Sequence, residues 1–312
     1  MIGEREVAGF SALTLSSPND AVEAAFVPSA GMVCCSLRHR GEELLGQRGG
    51  LRSYVHDRGT MGIPLLYPWA NRVAARRFEV AGREVDLDSH PELVGTDPNG
   101  LPIHGLLSAH PGWSVERHEG RPDGAVLDAV FDFSADGRLL DAFPFPHQLR
   151  MQAALSAGTL RIATIVRASR DASVPVAFGY HPYLRIPGVP RSDWSIEIPV
   201  SESLELDESM LPTGARKPDV IEPGPLGNRT FDDEFVAPLA PAKLELAGGG
   251  RRLALELESG YPFTQVYAPA DDDVIALEPM TAPTNALVSE VDLPVIPPAA
   301  SYEAVFSITV SG

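Results

Sequence analysis

A spacing of two dominates this sequence. Leu149, Met151, Ala153 and Leu155 alternate with Arg150, Gln152 and Ala154. Leu253, Leu255 and Leu257 alternate with Ala254, Glu256 and Glu258. Further on, Tyr302, Ala304, Phe306, Ile308 and Val310 alternate with Glu303, Val305, Ser307 and Thr309. Neighbouring side chains on a strand point to opposite faces, so each run predicts a strand with one buried face. Strand-like runs also cover residues 12–15, 22–27, 32–38, 125–133, 159–167, 194–200 and 263–268. No segment carries a sustained apolar pattern at helical spacing. The 28 glycines and 29 prolines punctuate the runs, and Asp136-Gly137 and Ala247-Gly248-Gly249-Gly250 read as turns between strands. Many short strands without intervening helices point to an all-β sandwich or barrel rather than a parallel α/β sheet. No linker, composition break or repeat divides the chain, so residues 1–312 are expected to form a single domain.

The charge balance narrows the partners. Asp and Glu number 42 against 25 Lys and Arg, a formal charge of −17. Such a surface repels phosphate backbones and anionic membranes, so neither nucleic acid nor a membrane is an expected partner. No run of about 18 apolar residues is present, so no membrane span is expected. The segment from Met1 to Phe10 is polar and mixed in charge, without the pattern of a signal peptide. Cys34 and Cys35 are chain neighbours, which on a strand point apart and are poorly placed to bridge. The lack of a disulfide framework fits a reducing compartment, and a cytoplasmic location is expected.

Several short segments put chemistry-bearing side chains at the ends of apolar runs. His181 follows the run 174–178 and lies in Gly179-Tyr180-His181-Pro182-Tyr183. Taken alone, it reads as a histidine satisfied by a hydrogen bond at a strand end. The flanking tyrosines shift that reading, because flat rings pack against the apolar faces of pyranoses. Imidazole titrates near neutral pH, which makes His181 a candidate general acid. Glu278 follows 274–277 and precedes Pro279. It is either a surface carboxylate just past a strand or a general base tuned by burial, since glutamate rarely keeps apolar company unpaired. Asn71-Arg72 follows the apolar run 63–70 and is either an exposed turn or a guanidinium fork for a hydroxyl or carboxylate. His104 sits in Leu101-Pro102-Ile103-His104-Gly105, where the glycine allows close backbone approach to a ligand. Thr230-Phe231-Asp232-Asp233-Glu234-Phe235 is an acidic cluster between aromatics, either a solvated loop or a hydroxyl acceptor with Asp232 in that role. No Rossmann fingerprint, P-loop or cysteine-based metal site is present, and no cofactor is expected. A metal held by His104, His181 and Glu278 would draw on ligands dispersed along the chain, with no local ligand spacing, and none is expected.

Together these segments resemble the aldose 1-epimerase (galactose mutarotase) family. Gly62-Ile63-Pro64-Leu65-Leu66-Tyr67-Pro68-Trp69-Ala70-Asn71-Arg72 looks like the family signature in which an Asn-Arg pair follows a Pro-rich strand end. Ile103-His104-Gly105 is similar to its His-Gly segment, His181-Pro182-Tyr183 to its second histidine motif, and Ala276-Leu277-Glu278-Pro279 with Thr281 to the segment of the catalytic glutamate. Asp232 falls where the family has a substrate-binding aspartate, and Leu211-Pro212-Thr213-Gly214 and Phe143-Pro144-Phe145-Pro146-His147 also match family patterns. The matches run in family order from about residue 60 to 285. The resemblance implies a large antiparallel β-sandwich of the supersandwich type. It implies Glu278 as base, His181 as acid and His104 as an assistant at the ring oxygen or a neighbouring hydroxyl. Arg72, Asn71, Asp232 and Tyr183 would bind a sugar. The implied reaction opens a hemiacetal, rotates C1–C2 and recloses the ring, and it needs no metal or redox cofactor.

Many galactose mutarotases carry His-Ser-Tyr-Phe-Asn where this chain has His181-Pro182-Tyr183-Leu184-Arg185. Arg185 is therefore a candidate to read a phosphate, as a hexose-6-phosphate mutarotase would require. A non-catalytic sugar-binding protein would be expected to lack the acid or the base, and both are present. A glycoside hydrolase would need two placed carboxylates, for which Glu278 and Asp232 are available, but it would leave two histidines unexplained. Monomer and homodimer both stay open.

Overall fold

The structure, a computed structural model, describes residues 1–17 and 21–312, and the counts below refer to those residues. The alternating runs form strands as their pattern demands. In His147–Ser156 the odd-numbered residues are buried and the even-numbered ones are not. Val22–Val27 and Phe263–Ala268 are strands over the predicted residues. The hairpin between Ala242–Gly248 and Arg251–Ser259 turns through Gly249 and Gly250, both at positive φ. Two expectations change. Asp136-Gly137 is not a strand-to-strand turn, because the Asp136 carboxylate accepts from Arg138 N and caps a short helix, Gly137–Ala142. The run 194–200 is a strand only over Ser195–Glu197.

Two large sheets organise the molecule. One has nine strands in the order Ser114–Arg121, Gly124–Asp132, His147–Ser156, Thr159–Ala168, Ser301–Ser311, Arg251–Ser259, Ala242–Gly248, Ser195–Glu197 and Gly224–Pro225. The other has eight. Pro212–Pro218, Glu202–Leu206, Phe231–Val236, Phe263–Ala268, Ile275–Met280, Gly179–Tyr180 and Leu65–Leu66 follow one another, and Tyr183–Leu184 also pairs with Ile275–Met280. A five-stranded sheet comes from the first 43 residues. Neighbouring strands in all three are antiparallel.

The sheets share one apolar core. Leu127, Met151, Ile162 and Phe306 of the nine-stranded sheet join Val266, Ile275 and Leu277 of the eight-stranded one, and Leu15, Phe26 and Leu37 of the N-terminal sheet. Full burial of each large apolar side chain contributes about 1.5–3 kcal/mol. Polar tips reach across the same space. The Tyr180 ring packs 5.0 Å from that of Phe306, and its hydroxyl shares a 2.6 Å hydrogen bond with Thr164 Oγ1. The fold is thus a large antiparallel β-sandwich. Cys34 faces the shared core while Cys35 packs in a separate cluster with Tyr54 and Leu51, and neither forms a disulfide. Among the described residues no helix is long and apolar enough to cross a membrane.

His147, from the Phe143–His147 motif, belongs to this core. Its ring stacks 4.4 Å from Phe133, its Nδ1 faces Phe145 O, and its Nε2 lies 2.6 Å from the Tyr67 hydroxyl. A proton on Nδ1 for the carbonyl makes Nε2 the acceptor of the tyrosine hydrogen, and burial pushes the imidazole down to about 4. Replacing Tyr67 by Phe leaves a buried acceptor without a donor. We expect Tyr67→Phe to cost about 1–3 kcal/mol in urea unfolding; an unchanged midpoint would show that this bond contributes nothing net.

Candidate active site

The strand Ile275–Met280 is buried along its whole length. Ile275 and Leu277 face the core between the sheets, so Ala276, Glu278 and Met280 face the opposite side. Its neighbour Phe263–Ala268 sets Gln265 opposite Glu278 and Tyr267 opposite Ala276. The next strand, Phe231–Val236, sets Asp232 opposite Tyr267 and Glu234 opposite Gln265. On the other flank, Gly179 pairs with Met280 and Tyr183 with Ala276, a register that puts His181 opposite Glu278. One face of the sheet therefore carries two polar rows, Asp232–Tyr267–Tyr183 and Glu234–Gln265–Glu278–His181. Backbone bonds from His181 N to Pro64 O (3.2 Å) and Tyr183 N to Gly62 O (2.9 Å) hold the histidine segment in place.

Two loop segments close over this face. Arg72 and Ile103 form an antiparallel bridge, and His104 N donates to Asn71 O at 2.9 Å. Asn71 and His104 both take left-handed backbone, with φ of 54° and 62°. Gly105, at φ 75°, lies so close to the 67–68 peptide that a Cβ would sit 2.0 Å from Tyr67 O. The result is a cavity of about 280 Å³ lined by Arg48, Thr60, Asn71, Arg72, His104, His181, Tyr183, Asp232, Gln265, Tyr267 and Glu278, with Pro98 and Ile103 at its wall.

Inside it the polar groups are tightly coupled. His181 Nε2 lies 3.2 Å from Glu278 Oε1 and 3.1 Å from the Tyr183 hydroxyl, which in turn shares a 2.6 Å hydrogen bond with Thr60 Oγ1. The His181 and Tyr183 rings stack at 4.1 Å, and His104 meets His181 edge-on at 5.6 Å. Arg72 Nε donates to Asp97 Oδ2 at 2.7 Å and its Nη1 donates to Asn71 Oδ1 at 2.9 Å. Asp97 is itself held by the amides of Asn99 and Leu101. Gln265 Nε2 donates to Asp232 Oδ1 at 2.8 Å. The Arg48 guanidinium sits 4.9 Å over the Tyr183 ring and 3.7 Å from Asp272.

Burial sets the protonation of this cluster. Glu278 is 2% exposed and His181 5%. Desolvation, reinforced by the charge of Asp232, raises Glu278 well above the ordinary carboxyl range, against the pull of Arg72. Desolvation, with His104 and Arg48 nearby, pushes His181 well below the ordinary imidazole range. Burial and the Arg72 charge bring His104 down to about 3. Asp232 is raised by burial, against Arg72 and the Gln265 hydrogen bond.

A profile of the family described as aldose 1-epimerase matches residues 15–309 of the chain. The chain belongs to the aldose 1-epimerase family. A galactose mutarotase-like protein from Clostridium acetobutylicum superposes with a TM-score of 0.83 at 18% identity, covering 100% of this chain and 98% of that one. The Slr1438 protein from Synechocystis gives 0.78 at 22% identity over 96% and 95%. The uncharacterized protein YihR of Escherichia coli is 23% identical over 254 residues, 78% of this chain and 77% of its own length. At these identities the solved structures show a shared fold.

For this aldose 1-epimerase family member, the seven residues singled out in the sequence, Asn71, Arg72, His104, His181, Tyr183, Asp232 and Glu278, all line one cavity. Glu278 lies within its strand rather than beyond it, and Asn71 is buried rather than on an exposed turn. Asp232 belongs to a strand and lines the cavity, whereas Asp233 is exposed and does not. Arg185 does not line the cavity. The sequence reading passed over Arg48, Thr60, Gln265 and Tyr267. Gln265 and Tyr267 had a signal, since Phe263, Gln265 and Tyr267 form the second face of a predicted strand. Asp97-Pro98-Asn99-Gly100 reads as a turn, but nothing local marks Asp97 as the partner of Arg72. Among the described residues no three His, Cys, Asp or Glu side chains converge as metal ligands would.

Two outcomes follow from this geometry. Gly105→Ala meets both a left-handed backbone and a carbonyl oxygen, so it should destabilise by roughly 3 kcal/mol or more, while Gly100→Ala, with positive φ but open space, should cost about 1 kcal/mol. Equal thermal shifts for the two would refute the close-approach argument. His104 is held neutral to about 3, whereas in an unfolded chain it protonates near 6.5. The unfolded state therefore binds more protons between those values, and the stability His104 contributes is intact above 6.5 and lost as pH falls through that window. By NMR its ring carbons should not titrate from about pH 8 down to about pH 5.

Proposed function

We propose that this protein is a mutarotase that interconverts the α and β anomers of a free aldose. The observation that carries the reading is the Glu278–His181 pair, 3.2 Å apart and buried on the floor of a polar cavity. Glu278 removes the proton of the C1 hydroxyl as His181 delivers one to the ring oxygen, so the hemiacetal opens to the aldehyde. C1–C2 rotates by half a turn. His181 then takes the C5 hydroxyl proton, that oxygen attacks the other face of the carbonyl, and Glu278 returns its proton to the C1 oxygen. The pair carries one proton throughout and recovers its starting state after each turnover. Desolvation supports this reading, because raising the carboxyl makes Glu278 a stronger proton acceptor and lowering the imidazole makes protonated His181 a stronger donor.

The remaining lining groups suit a polyol. Arg72, with Asn71 beside it, offers donors to hydroxyls, and Asp232 offers an acceptor. The Tyr183 and Tyr267 rings offer flat faces to a pyranose. His104, neutral beside Arg72, serves a hydroxyl near the ring oxygen. A free sugar fits better than a sugar phosphate. Arg72 is paired with Asp97, Arg48 with Asp272 and the Tyr183 ring, and Arg185 lies outside the cavity.

Polarimetry on freshly dissolved α-D-glucose and α-D-galactose tests the proposal. Glu278→Gln and His181→Asn should each slow the approach to anomeric equilibrium by about 10²–10⁴-fold with the fold intact by circular dichroism. Arg72→Ala should mainly raise KM. Full rate in both Glu278→Gln and His181→Asn would remove the acid–base assignment. Sugar binding without any acceleration would move the protein to a carrier role.

A further inference from the structure

The second polar row holds a carboxyl for which the proposed reaction has no use. Glu234 is 1% exposed and does not line the cavity. Its Oε1 accepts from Thr284 N at 3.0 Å, and its Oε2 is buried without a hydrogen-bond partner. Directly across the strand pair is Gln265, whose side chain projects from the same face. Gln265 Nε2 is committed to Asp232 Oδ1, and Gln265 Oε1 is likewise buried without a partner.

A primary amide has one donor end and one acceptor end. Gln265 stands beside two acids, Asp232 and Glu234, and its nitrogen bonds Asp232 and not Glu234, whose Oε2 has no partner. With its nitrogen on Asp232, its oxygen can only accept and needs a hydrogen from a neighbouring group. Turning the amide over merely exchanges the two acids. One proton on this pair is therefore required in either arrangement. The Thr284 hydroxyl lies beside the same carboxyl, and its single hydrogen is too few for both Glu234 Oε2 and Gln265 Oε1.

We propose that Glu234 is a protonated positioning residue, whose carboxyl hydrogen donates to Gln265 Oε1 so that Gln265 holds Asp232 toward the cavity as acceptor for a substrate hydroxyl. The part played by Asp232 rests on the function proposed above; the protonation of Glu234 does not. Burial agrees, pushing Glu234 up to about 7 against the Thr284 bonds and the Arg216 charge. A neutral Glu234 also spares the row a negative charge beside Glu278. The charged or titratable groups that face it are Arg216, Asp232 and Glu278.

Infrared difference spectroscopy of the full chain, on the acid side of that value, tests the proton directly. Wild type should show the carbonyl stretch of a buried protonated carboxylic acid, shifted in heavy water and absent from Glu234→Gln. An unchanged spectrum in Glu234→Gln overturns the proposal, whatever the enzyme does with sugars. Kinetics test the positioning role on the aldose that wild type turns over fastest. Glu234→Ala should raise KM about tenfold with little change in kcat, and Glu234→Gln, whose amide can both donate to Gln265 and accept from Thr284, should bring KM back to within about threefold of wild type. A Glu234→Gln enzyme as impaired as Glu234→Ala also overturns it.

Discussion

Everything at this site depends on one strand being buried on both faces. Ile275–Met280 packs its odd residues into the sandwich core and its even residues under the cavity. A carboxylate in such a strand has lost most of its water, and an unpaired buried charge is far more costly than any single contact it makes. Glu278 is tolerable there because the antiparallel register delivers His181 to the position opposite. The same register brings Gln265 to its other side. The chemistry is thus a consequence of sheet pairing. A one-residue slip of the strand would turn Glu278 into the core and Leu277 into the cavity.

Cations complete the balance, and each is pinned. Arg72 opposes the rise of Glu278 and Asp232 while helping to keep His104 neutral. It can act on all three only from one place, and Asp97 fixes that place. The Asp97 carboxylate accepts from the Arg72 guanidinium and from two amides of its own loop, so the turn 97–101 orients the cation. Arg48 does comparable work over the aromatic wall, spread across Tyr183 and Tyr267.

The strands were largely legible because their alternation is a direct image of one buried face. The Leu149–Leu155 run shows it, and its odd residues are the buried ones. Glu278 was legible only as an anomaly, a carboxylate among apolar neighbours; that it lies inside its strand reflects burial on two sides, which alternation cannot express. The family motifs supplied the seven lining residues, and local patterns could not have assembled them, since Arg72 and Glu278 meet only through tertiary pairing. Arg48 had no signal at all. It stands in the polar stretch around Gly46 and Gly50 and reaches the site because the chain crosses beside Tyr183. The capped helix at Asp136 was misread because Asp-Gly begins turns and helices alike, and the deciding bond is to Arg138 two residues on.

The two histidines illustrate how position divides roles between identical side chains. They meet edge-on at 5.6 Å, close enough that a charge on one disfavours a charge on the other. The two imidazoles are therefore not charged together in ordinary conditions. His104 has the Arg72 guanidinium beside it, which adds a second repulsion. His181 has the Glu278 carboxyl at 3.2 Å. Of the two imidazoles His181 is therefore the one placed to exchange a proton with a carboxyl, while burial, His104 and Arg48 favour its neutral form. In the proposed reaction His181 moves a proton while His104 only donates or accepts a hydrogen bond. Exchanging the neighbours, with the same two imidazoles in the same two places, would exchange those roles.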